Sequence, residues 1–127
     1  MDRSEIRGIE FDWYATDSEG HLALFSSAGS ALVPALALEG AADVGLLDEY
    51  FQVASPMRSD WEQFAALGLF VYDCGSMHDD TYRRVAVPAT PLRHSDLPES
   101  LARAIGRVCF ADMRFAETPT IDGRSLT

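Results

Sequence analysis

Residues 74–80, CGSMHDD, gather the most varied set of donor atoms in the chain. Cys74 offers sulfur, His78 nitrogen, and Asp79 and Asp80 oxygen, and His94 could complete a set. Zinc accepts such a mixture in tetrahedral geometry. Cys74 and His78 fit no established ligand spacing, however, and a polar loop between two strands has the same composition. The same residues invite a nucleophilic reading: Cys74, with His94 or His78 as base and Asp73 or Asp112 as the orienting group. Against it, Cys74 closes an apolar run, where a thiol is buried and inert. Ser26 or Ser27 with His21 fails differently. No GxSxG elbow is present, and successive strand residues point to opposite faces.

Two further groupings have plainer alternatives. SSAGS, residues 26–30, could cradle an anion with exposed backbone N–H groups and serine hydroxyls. Its spacing matches neither the dinucleotide fingerprint nor the P-loop, so it reads as a strand end and its exit. The adjacent carboxylates Asp48–Glu49 and Asp79–Asp80 could serve acid–base chemistry. Neighbouring residues on a helix do not face each other, so Asp48 and Glu49 read as a solvated surface.

The elements that must position these residues follow from pattern. Residues 9–16, IEFDWYAT, and 21–27, HLALFSS, favour strands. Asp17-Ser18-Glu19-Gly20 between them is a turn, with Asp at its first place and Gly where positive φ is needed. Val44, Leu47, Phe51 and Ala54 share one face of a helix over 38–54. Ser59 and Glu62 frame a capping box for a short helix ending near Gly68. Residues 69–74 and 81–87 read as strands. Asp96 and Glu99 frame a second capping box, and Leu97, Leu101, Ile105 and Val108 carry a helix face. Residues 108–115 read as a last strand, and the chain from Thr118 as a loose tail. The expected order is β-β-α-α-β-β-α-β: an α+β domain, mostly antiparallel, with helices packed on one face.

Composition narrows function. The chain has 127 residues, one domain by size, and 47% are apolar. Twenty acids face ten bases, every base is arginine, and the net charge is −10. The missing lysines remove Schiff-base chemistry and the P-loop lysine. Residues 1–80 hold 15 acids and 3 arginines, whereas residues 81–127 hold 5 acids and 7 arginines. Such acidity argues against nucleic acid as a direct partner. No apolar run reaches the roughly 20 residues of a membrane span. The N-terminus lacks a secretory pattern, so the expected location is cytoplasmic. Cys74 and Cys109 form no CxxC unit and read as reduced core thiols.

The segment DWYATDSEGHLALFSSAGSALVP resembles the start of a group of small bacterial proteins of unknown activity. Their pattern runs W-x-A-x-D-x-x-G-x-L-A-x-F-S-S-A-G, with a proline a few residues on. Here it is carried by Trp13, Ala15, Asp17, Gly20, Leu22, Ala23, Phe25, Ser26, Ser27, Ala28, Gly29 and Pro34. In size and charge the chain also resembles, more loosely, immunity proteins of bacterial polymorphic toxin systems. That resemblance implies a small acidic α+β domain and assigns no catalytic residue.

The expected function is therefore a non-enzymatic, protein-binding domain, in its specific form a toxin-neutralising immunity protein acting by occlusion. Its acidic surface would use Glu39, Asp43, Asp48, Glu49, Asp60 and Trp61 against a basic partner. No cofactor is implied. The alternative is a small-ligand or metal-binding protein using the 74–80 loop and His94. A third reading is a subunit whose sheet pairs with its own copy.

Overall fold

The computed structural model describes residues 2–54 and 61–127. The chain folds as α+β, in the order α1 (Arg3–Ile6), β1 (Asp12–Asp17), β2 (Leu22–Ser26), α2 (Ala35–Glu39), α3 (Ala41–Ala54), α4 (Trp61–Ala66), β3 (Phe70–Asp73), β4 (Thr81–Ala86), α5 (Glu99–Ile105), β5 (Cys109–Phe110) and β6 (Thr120–Asp122). Six strands form one sheet in the spatial order β5-β1-β2-β3-β4-β6. No described helix is long and apolar enough to cross a membrane.

The sheet is mixed, which corrects the mostly antiparallel expectation. β1/β2, β3/β4 and β4/β6 are antiparallel, but β2/β3 and β1/β5 are parallel. The chain leaves β2 and returns through α2, α3 and α4 before adding β3 alongside in the same direction. Such crossovers cover sheet faces. Accordingly β2 is buried at all five positions, and Phe70, Val71 and Tyr72 of β3 are buried too.

The β1–β2 hairpin forms where the turn chemistry places it. Asp17 Oδ1 accepts from the N–H groups of Glu19 and His21, each at 2.9 Å, and Gly20 adopts φ +78°. Trp13 pairs with Phe25 across the strands, and Tyr14 with Leu24, so the two pairs lie on opposite faces.

On the Trp13 face the rings pack together. Trp13 stacks on Phe25 at 4.1 Å, and Phe25 on Tyr72 at 4.9 Å. Trp13 also meets Tyr82 of β4 edge-on at 5.8 Å. In a flat sheet β1 and β4 would stand roughly 14 Å apart; ring contact across that gap requires the sheet to curl. Phe115 closes the cluster against Phe25, Phe70, Tyr72 and Phe110. On the opposite face Tyr14 stacks on Phe51 of α3, and α3 packs in turn against α5.

Several boundaries differ from expectation. The 38–54 helix is two helices, because the chain bends at Gly40; α2 starts earlier, at Ala35. Asp96 does not cap α5. Its carboxylate accepts from the Arg93 N–H and closes a separate turn, while Pro98 stands at the start of α5. The last strand shrinks from 108–115 to Cys109–Phe110. The segment from Thr118, expected loose, forms β6, pairs with β4 and buries Ile121. Ser59 of the first capping box lies outside the described residues.

Candidate functional site

The CGSMHDD loop leaves the C-terminal end of β3, beside Ser26 at the end of β2. His94 lies at the other end of the sheet, where its N–H donates to Gly20 O in the β1–β2 turn. The sheet separates them, so His94 completes no set with Cys74 and His78. The His94 ring is also occupied: Nε2 donates to Ala102 O at 2.7 Å, the carbonyl having no proton to give.

Within the loop Cys74, Asp79 and Asp80 each have another partner. The Cys74 thiol is buried and donates to Asp79 O, and burial pushes its pKa up. It is a protonated packing group, as the apolar run implied. The Thr81 N–H, with Arg83 as second contributor, holds the Asp79 carboxyl below its ordinary value. Asp79 and Arg83 form an ion pair at 2.8 Å. Asp80 faces Arg124 at 3.6 Å, and His78 is exposed. Among the described residues no three His, Cys, Asp or Glu side chains cluster in a way that would hold a metal ion. Cys109 departs from the core-thiol reading, since it is exposed.

SSAGS is tied into the architecture. The Phe11 N–H donates to Ser27 Oγ at 3.0 Å, and the Ser27 N–H donates to Phe11 O. Ser30 Oγ accepts from the Leu32 N–H. Ala28 and Gly29 turn the chain with φ +50° and +87°, and Gly29 O accepts from the Gly8 N–H. Ser27 and Gly29 therefore tie the N-terminal segment to the hairpin.

The acidic residues expected at an interface separate into three kinds. Glu39 and Glu49 are exposed and form no ion pair among the described residues. Asp43 is half-buried, and Arg107 donates to its Oδ2 from Nε at 2.9 Å and Nη2 at 2.7 Å. Asp48 accepts from the Tyr14 hydroxyl at 2.7 Å and so braces α3 on β1. Trp61 is partly buried, with its ring 6.3 Å from Phe64. Asp60 lies outside the described residues.

Three apolar side chains missing from the expected interface stand out on the same two helices. Leu36 of α2 is 50% exposed, Leu46 of α3 is 43% and Tyr50 is 41%. Leu46 and Tyr50 are one turn apart and share a face, with Glu49 beside them. The signal was available. Val44, Leu47 and Phe51 mark the buried face of α3, and the same period leaves Leu46 and Tyr50 off it. Leu46 also borders an open groove of about 470 Å³ between α3 and α5, with Asp43, Ser100, Arg103, Ala104 and Arg107. The α2–α3 surface therefore presents apolar anchors beside the exposed carboxylates Glu39 and Glu49, a combination suited to docking. In comparisons with known proteins, no family model, no curated protein and no solved structure matches this chain.

Proposed function

We infer that this chain is a non-enzymatic protein-binding domain and that its α2–α3 face takes a basic partner. The observation that carries the reading is the exposure of Leu36, Leu46 and Tyr50 on the helices that also carry the exposed carboxylates Glu39 and Glu49, which form no ion pair among the described residues. The apolar groups supply desolvated anchor area, in which one aromatic counts heavily. The carboxylates steer a basic surface toward them and speed encounter more than they tighten the complex. The net charge of −10 acts in the same direction at long range. The specific form is occlusion of a toxin's basic active-site rim, in the manner of an immunity protein. That form rests on the resemblance in size and charge.

Affinity capture from the source lysate tests the reading. One basic protein should be retained at low salt and released as salt rises. Tyr50→Ala and the double reversal Glu39→Arg/Glu49→Arg should each lose it. Asp112→Arg, on the exposed segment after β5, should not. Retention unchanged by the α2–α3 variants, or lost equally with Asp112→Arg, would remove this face from the function.

A further inference from the structure

Gly40 joins α2 to α3, and the side chain of Arg107 lies across it. A Cβ at position 40 would stand 2.3 Å from Arg107 Cδ and Nε, closer than atoms can approach. Glycine is therefore the residue that leaves room for a flat guanidinium at this corner. The Asp43 carboxylate, in the first turn of α3, meets the guanidinium edge through Nε and Nη2. Helix polarity favours a carboxylate there. Glu39 adds a second, exposed carboxylate on the preceding residue, and the open groove by Leu46 and Ala104 gives access from solvent.

We propose that the Gly40–Asp43 corner is a seat for an arginine side chain, filled by Arg107 in the free chain and taken over by an arginine of the partner on docking. This rests on the reading of α2–α3 as the docking face and names the chemistry it recognises. The exchange is easy on physical grounds. Arg107 and Asp43 side chains are 41% and 33% exposed, and a pair so open to water is weakly held. Arg107 sits in the turn after α5 and not in the helix, so its side chain can leave without unwinding an element. The incoming guanidinium replaces the outgoing one on the same floor and the same oxygen. Arg103, which also lines the groove, is paired with Glu99 at 3.2 Å, so Asp43 and Glu39 set against Arg107 leave the corner with a local negative excess, which favours a second cation. Beside the seat, Leu46 receives the apolar part of the partner segment.

The test needs no partner. Acetyl-arginine-N-methylamide and its lysine counterpart are titrated into the ¹⁵N-labelled protein at low salt. In the unmodified chain the Arg107 Nε–H signal should move toward its solvent-exposed position as the ligand enters, while the amides of Gly40 and Asp43 shift saturably. Arg107→Ala removes the resident competitor and should tighten the arginine derivative about three- to five-fold. The lysine derivative should bind more weakly, because a compact ammonium does not match a flat floor. Asp43→Asn should abolish the shifts in both backgrounds. An unmoved Arg107 signal, equal affinity in Arg107→Ala, or retention of binding in Asp43→Asn would overturn the proposal. Seat binding without capture of a basic protein would count against the docking function alone; capture that ignores Arg107→Ala and Asp43→Asn would count against the seat alone.

Discussion

Trp13 and Tyr14 are neighbours in β1, and they open onto two differently finished sides of the molecule. The Trp13 side is closed by the chain itself. Its rings stack across three strands, and the C-terminal segment is fastened over them. The Phe115 N–H donates to Asp17 Oδ2 at 2.8 Å, Tyr72 donates to the Thr118 carbonyl, and Arg84 donates to Phe115 O at 2.6 Å. The Tyr14 side is covered by α3, and the outer surface of the α2–α3 pair keeps Leu36, Leu46 and Tyr50 in water. Apolar surface that the fold needs is sealed with hydrogen bonds at its rim. Apolar surface on α2–α3 has no such seal among the described residues. That difference separates residues that hold the chain together from those free to meet another molecule.

The largest break in this contrast should come from the ring stack. Phe25 touches Trp13, Tyr72, Tyr82, Phe110 and Phe115 and is fully buried. Phe25→Ala should cost about 3–5 kcal/mol in urea-induced unfolding. A loss under about 1 kcal/mol would mean that the rings repack freely and that the sealed face is not a rigid core.

Asp17 is the next test, because one carboxylate serves both the hairpin turn and the tail. Asp17→Ala should cost about 2–3 kcal/mol. Hydrogen exchange gives the sharper readout. The amides of Glu19, His21 and Phe115 should lose protection together, although Phe115 is 98 positions away in sequence. Protection kept at Phe115 would show that the tail closes without its tether.

Alkaline pH probes the same seal. Burial raises the Tyr72 pKa from 10.0 to about 12 and raises that of Tyr82 as well. A raised folded value means the fold prefers the neutral phenol. The stabilisation is therefore complete below the unfolded value near 10 and is lost as pH climbs through about 12. Tyrosinate absorbance from these two rings should appear only as the structure melts. Tyr72→Phe should flatten the pH dependence of stability in that window. Ionisation of Tyr72 near pH 10 with the fold intact would contradict a sealed face.

The smallest effect is expected on the open side. Leu46→Ser and Tyr50→Ala should change unfolding stability by less than about 0.5 kcal/mol, as exposed substitutions do. Their consequence should appear in partner capture. A loss of stability above about 1.5 kcal/mol would turn the α2–α3 surface from a docking face into part of the core.

Much of the local structure was legible in the residues. The hairpin was, because turn chemistry and a period of two act over neighbouring positions: Asp17 and Gly20 carry their own instructions. The buried face of α3 was legible from Val44, Leu47 and Phe51, and Leu46 and Tyr50 could have been read as outward from the same period. Of the expected acidic interface, Glu39 and Glu49 are exposed, while Asp43 and Asp48 are engaged by Arg107 and Tyr14. Those engagements span 64 and 34 positions, and no local pattern announces them.

Composition and short-range pattern thus determined the α+β class, though not the mixed sheet, together with the acidic charge, the hairpin and the buried face of α3. Tertiary structure decided that β2 and β3 run parallel, that the chain end returns as β6, that His94 and the 74–80 loop lie at opposite ends of the sheet, and that Arg107 rests on Gly40. The physical reason is the range of the interactions. Backbone dihedrals and side-chain period are set by neighbours a few residues apart. Strand partners and cross-chain ion pairs are set by how the whole apolar surface closes, and every distant residue takes part in that closure.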